Sequence, residues 1–275
     1  MESVDPMSFL MVVHAAYDDA TGLAPVSDTT KQHCFYHIHN PDDYAKNNFL
    51  RYAPKARLLM MVREPIQNCV SSISQDFHKN HYDKCVLRLL DMLLGFDQVL
   101  FRVRKSVGLR LEDLKARPEA SLQALCSWMG VEESPTLYEM TAQGKKWWGD
   151  PSSPSYTKDK AMSPFDDAPI KCAAYTIFGE TDQFVLKTLF YPFRVRFGYC
   201  EPEPAQFGKD LKKIRPLLND LLDFEKTIAE RSNTSHEQFK RSGSYQLFRA
   251  GLMDRCDVLD ELGTYPHMLT PLNIP

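Results

Sequence analysis

"RLLMMVREPIQNCVSSI", residues 57–73, decides which fold this chain can have. The apolar run 57–62 has the composition of a strand buried on both faces, as in parallel sheets. It stops on a cation, Arg63, and Pro65 follows where a helix would start, a position that tolerates a missing N–H. Ile66, Val70, Ile73 and Phe77 then step by four, three and four, which draws one apolar stripe along a helix. Ser71, Ser72 and Gln75 fall on its other faces. In parallel α/β folds ligands bind beyond the carboxyl ends of the strands, which is where Arg63 stands. The helix start adds partial positive charge and free N–H groups. A guanidinium there matches a phosphate in a bidentate way, and Ser71 lies two turns further on with a hydroxyl. The junction therefore reads as a phosphate grip. The competing reading makes Arg63 a carbonyl cap or an acid's partner and Ser71 a solvated serine.

Working outward, "SFLMVVHAAY" is either a strand or a short buried helix, and 17–31 is a loop rich in Asp, Thr, Gly and Pro. "HCFYHIH", 33–39, reads as a strand ended by Asn40-Pro41, and "NNFLRYA", 47–53, as a helical turn stopped by Pro54. A second helix spans about 83–105, with the stripe from 86 to 103 in the core. "GLRL", 108–111, is a short strand. A helix from Pro118 follows, with Gly130 as its C-cap. Residues 141–172 lose the periodicity and read as a long loop, either functional or mobile. "TDQFVLKTLF" is a helix with Thr181 as N-cap. One amphipathic helix covers 208–231, kinked at Pro216, with its stripe from 211 to 228 in the core, and another covers 245–262. Strands and helices alternate, so the expected class is α/β with a parallel sheet. The last 75 residues, without strand signals, form a helical appendage.

The 275 residues are 43% hydrophobic and 25% charged with a net charge of −3, which points away from nucleic acid and anionic membranes as main partners. Seven cysteines without CxxC spacing argue against a zinc site and for reduced thiols. No apolar stretch reaches the ~18–20 residues of a membrane span. Asn233-Thr234-Ser235 is a glycosylation sequon of a frequent kind.

Arg63-Glu64-Pro65 followed by Ser71 resembles the 3′-phosphate-binding segment of the sulfotransferases that use 3′-phosphoadenosine-5′-phosphosulfate (PAPS). "LRLEDLKARPEASLQALCSWMGV", 109–131, is similar to that family's strand, Glu-Asp-Leu, Pro and helix ending in Gly. "GKKWWGD", 144–150, is similar to its late basic loop, and "HIHNP" to its Lys-x-His-x-Pro. The resemblance implies an α/β three-layer sandwich with a central parallel sheet, the P-loop NTPase-like sulfotransferase fold. It implies a sulfotransferase-like α/β domain over 1–200, N-terminally incomplete, and a helical extension over 201–275 packed on it. It implies Arg63, Ser71, Lys145, Lys146 and Gly149 around PAPS, and His39 as the base that deprotonates a hydroxyl or amine of a small-molecule or glycan acceptor. His37, which shares a strand face with His39, and Asp42 or Asp43 stay open as alternative bases. No metal is required. Glu112 and Asp113 are expected to orient backbone and Arg groups, and Trp147 or Trp148 to pack or to stack on adenine. The family's Gly-Thr-rich phosphate loop has no counterpart: Gly22 is the only glycine before residue 95. The chain thus reads as truncated or as a non-catalytic homologue. Leu111 stands where the family often has an adenine-contacting tyrosine. A cytoplasmic location is favoured, with the Golgi as the alternative if an anchor precedes Met1.

Overall fold

The structure, a computed structural model, describes residues 4–22, 51–139, 141–142, 145–146, 165 and 177–275. The chain divides into two compact units, Met1–Arg57 and Leu58–Pro275. In the first, the ambiguous "SFLMVVHAAY" is helical: α1 spans Pro6–Thr21. Asp5 starts it, its Oδ1 accepting from the N–H groups of Met7 at 3.0 Å and Ser8 at 3.1 Å. Residues 51 and 52 are helical just before Pro54.

The second unit is mostly helical around a small parallel sheet. Strand β1, Leu58–Val62, runs into α2, Pro65–His78. Helix α3, Tyr82–Gly95, and the short α4, Val99–Val103, lead to β2, Ser106–Arg110. Strands β1 and β2 are parallel, in register from Leu58 opposite Ser106 to Val62 opposite Arg110. Helices α5, Leu111–Ala116, and α6, Pro118–Met129, follow. Gly130 closes α6 at φ 72°, the left-handed cap read from the sequence. Strands β3, Thr141–Ala142, and β4, Lys145–Lys146, pair antiparallel. Then come α7, Glu180–Leu189; α8, Tyr191–Arg196; α9, Pro204–Leu217; α10, Asp223–Arg231; α11, His236–Lys240; and α12, Gly243–Leu262.

The α2 stripe is the core face it promised to be: Ile66, Val70, Ile73 and Phe77 are each at most 2% exposed. This face packs on α3, whose Cys85, Val86, Leu89 and Leu93 are equally buried. Helix α12 covers α3 from the other side and touches α7 and α9.

Several expectations are corrected by tertiary packing. The 57–62 run is not buried on both faces. Met60 and Val62 face the core, whereas Met61, on the opposite face, is 49% exposed. The helix expected over 83–105 breaks after Gly95, because buried Phe96 stacks on Phe193 and Asp97 is held by the C-terminal segment. Its last part, α4, has no fully buried residue: Phe101 packs against the core from its edge, and Val99 and Val103 are exposed. Residues 208–231 form two helices, since Pro216 sits one residue from the end of α9 and the chain turns before α10. Their stripe is nonetheless buried, from Leu211 at 5% to Phe224 at 0%. Helix α7 begins two residues early, with Gly179 rather than Thr181 at the N-cap.

The C-terminal residues are not purely helical either. After α12 the chain extends beside β2: Gly108 N–H donates to the Thr270 carbonyl at 2.8 Å, and Leu272 N–H to the Gly108 carbonyl at 2.7 Å. Pro271 sits opposite Gly108 in this parallel bridge, where no N–H is asked of it. Strand β2 therefore lies between β1 and this tail.

Candidate functional site

The candidate site lies where β1 and β2 end. Val62 and Arg110 are opposite one another in the register, so both chains leave the sheet at one level. Arg63 is the first residue beyond β1 and is half-buried. Its Nη2 donates to Gln67 Oε1 at 3.2 Å. Its Nε is buried, and no described residue offers it an acceptor. No carboxylate among the described residues pairs with Arg63; the acid beside it is taken elsewhere.

That acid is Glu64. One of its oxygens accepts the Gln67 N–H at 2.9 Å and so caps α2. The other lies 3.2 Å from Arg194 Nε on α8. The helix start is thus capped from within, which corrects the expectation of free N–H groups there: a carboxylate three residues upstream satisfies one of them. The Glu64 backbone N–H is held in turn by Glu112 Oε1 at 3.0 Å, and Glu112 Oε2 accepts the Tyr199 hydroxyl at 2.9 Å. Burial and the Glu112 carboxylate push the Tyr199 phenol far above its ordinary range, so it remains a donor. Arg110 spans the same corner, 4.6 Å from the Tyr199 ring, with Nε 3.3 Å from Asp113 and Nη1 donating to the Phe197 carbonyl at 2.9 Å.

Two of the acids around the junction are met by cations, Glu64 by Arg194 and Asp113 by both Arg110 and Arg117. Glu112 is held by two neutral donors, and Arg63 by a neutral amide. A half-buried guanidinium with a donor to spare, at the carboxyl end of a parallel strand, can accept an anion without first giving up an ion pair.

Of the residues expected at the site, Arg63 and Ser71 are described. Ser71 is exposed and lies eight positions beyond Arg63; Gln67 and Ser71, four apart, share a side of α2, and Arg63 precedes the helix. It is Gln67, not Ser71, that the structure draws onto Arg63. Lys145 and Lys146 form β4, opposite Ala142 and Thr141, and their side chains are not described. His37, His39, Asp42, Asp43, Trp147, Trp148 and Gly149 lie outside the described residues. Glu112 plays the expected part, orienting the backbone after β1.

The sequence reading missed Gln67, Arg194 and Tyr199. The first had a signal, its spacing of four from both Arg63 and Ser71. The other two had none, because more than a hundred residues separate them from the strand they support. Among the described residues no group of His, Cys, Asp and Glu could hold a metal ion, and no helix is long and apolar enough to cross a membrane. Compared with protein families, with curated proteins and with solved structures, the chain matches none.

Proposed function

We propose that this chain binds a 3′-phosphorylated adenine nucleotide at Arg63, and that it is a sulfotransferase using PAPS as co-substrate. The observation that carries the reading is Arg63 itself. It is half-buried at the carboxyl end of β1, keeps a buried Nε without an acceptor and faces no acid among the described residues. Those properties fit a dianionic phosphate group. PAPS, when bound, supplies the sulfuryl group. The chain's own residues supply grip and proton transfer. Arg63, held by Gln67, and Ser71 receive the 3′-phosphate; Lys145, Lys146 and Gly149 close over it; His39 takes the proton of an acceptor hydroxyl or amine. In this reading β1 and β2 are members of the central sheet of a three-layer sandwich.

A second reading, a homologue that binds the nucleotide without turning it over, is favoured by the absence of a Gly-Thr-rich phosphate loop from the sequence. Both readings are tested on the full chain by thermal shift and calorimetry with 3′,5′-ADP against 5′-AMP. We expect stabilisation by 3′,5′-ADP alone and a loss of roughly 10- to 100-fold in its affinity in Arg63→Ala, as for hydrogen bonds to a charged group. Equal responses to the two nucleotides overturn the 3′-phosphate site. Binding without sulfuryl transfer from PAPS to any acceptor selects the second reading.

A further inference from the structure

A cleft of about 270 Å³ opens between α7, α8 and α9, with Arg194 on its lining. One wall is aromatic. Tyr191 and Phe207 stack with ring centroids 4.3 Å apart and planes 17° from parallel, and Phe184 lies beside them. The rim is ionic, with Glu201, Glu203 and Asp210 against Lys187 and Arg194. These charges are not equivalent. The Arg194 charge is balanced by Glu64, which is not part of the lining. Lys187 donates to the neutral Gln183 at 3.3 Å. Asp210 is engaged by the Gln206 amide at 2.7 Å and by Lys213 at 3.9 Å. Neither Glu201 nor Glu203 has a cationic partner among the described residues. Lys187 keeps its charge, so against the two unpaired glutamates the cleft is left with a net excess of one negative charge beside an aromatic wall. The Tyr191 hydroxyl accepts the Glu203 N–H at 2.5 Å, which leaves its own proton free to donate.

We propose that this cleft binds a small organic cation, an ammonium carried on a single aromatic or short aliphatic body. The ring pair supplies stacking and cation–π attraction, and the two glutamates supply the counter-charge. The volume is at the small end for a ligand pocket, which suits one ring rather than a nucleotide. The inference does not depend on the nucleotide reading: the cleft adjoins the Arg63 corner through Arg194 and Cys200, but the two glutamates and the ring pair make no contact with Arg63 or Gln67.

The test compares 2-phenylethylammonium with 2-phenylethanol, which share a body and differ in charge, by calorimetry on the full chain at moderate salt. The amine is expected to bind and the alcohol to bind at least ten-fold more weakly. The double variant Glu201→Gln, Glu203→Gln, both at exposed positions, should lose the preference while keeping its melting temperature. Arg63→Ala should bind the amine as the wild type does, even where it no longer binds 3′,5′-ADP. Equal binding of amine and alcohol, or amine binding unchanged in the double variant, overturns the proposal.

Discussion

Gly108 shows how little room a single residue has in this sheet. A Cβ placed there would stand 2.7 Å from the Phe197 ring and 2.8 Å from Leu269, both in the core. The ring is locked by its stack on Phe193 at 4.3 Å, so it has nowhere to move. Gly108→Ala is expected to cost about 1–3 kcal/mol, the usual range for overpacking, read as a lower urea midpoint; an unchanged midpoint would mean that the tail simply shifts. Tyr199 acts at the same scale but through a hydrogen bond. Tyr199→Phe removes one of the two donors on Glu112, at a cost of about 1 kcal/mol, and loosens the backbone that carries Arg63. On the nucleotide reading the variant should also bind 3′,5′-ADP more weakly, with its melting temperature lowered by roughly 2–4 °C.

At the scale of elements, the starts of α7 and α10 cap each other. Asp182 is fully buried and accepts from the N–H groups of Gly179 at 3.0 Å, Asp223 at 2.6 Å and Phe224 at 2.9 Å. Asp223 returns the favour, accepting the Thr181 N–H at 3.1 Å. Local sequence could not place this cap, because the carboxylate that starts α10 comes from 41 residues upstream. Burial raises the Asp182 carboxyl from 3.8 to about 7, against the pull of those N–H donors. The folded chain therefore keeps a proton that the unfolded chain has released. This contribution to stability is complete below about 3.8 and is lost as pH rises through about 7. Asp182→Asn should lower stability overall. Relative to that variant, the wild type should lose urea resistance between pH 4 and pH 8. Parallel pH profiles for the two would show that Asp182 is already ionised in the fold at low pH.

The larger unit, Leu58–Pro275, is held together by contacts between residues far apart in the chain. Glu225, fully buried on α10, pairs with Arg249 on α12 and accepts the Tyr82 hydroxyl from α3 at 2.5 Å and the Leu222 N–H at 2.7 Å. Burial pushes its carboxyl up, while Arg249 and Tyr82 pull it back. Arg249→Met leaves a carboxylate buried without its counter-charge and should cost about 3–5 kcal/mol. Adding Glu225→Gln should recover part of that loss in a double-mutant cycle, and a purely additive result would deny the coupling. The C-terminal tail closes the other end. Tyr265, Met268 and Leu269 are 4%, 7% and 0% exposed, and Asp97 holds the tail through the His267 N–H at 2.7 Å. Deleting residues 264–275 removes three buried side chains, on the order of 5 kcal/mol at least, or roughly 10–20 °C in melting temperature. A drop of only a few degrees would mean that the sheet edge does not need its third strand.

What the sequence determined by itself was local. The apolar run before Arg63, the stripe Ile66–Val70–Ile73–Phe77 and Pro65 at the helix start made a βα unit legible, because periodicity and proline act within a few residues. Gly130 as a left-handed cap belongs to the same kind of signal. Tertiary structure alone decided the rest. It determined which face of β1 is covered, that 83–105 breaks at Phe96, that α7 is capped from α10, and that a proline-bearing tail pairs with β2. It also decided the state of Arg63. Whether a guanidinium is spent on an acid or left to receive an anion depends on where Glu64 turns, and Glu64 is claimed by Arg194 from 130 residues away. Charge pairing is a property of positions in space, and spacing along the chain does not carry it.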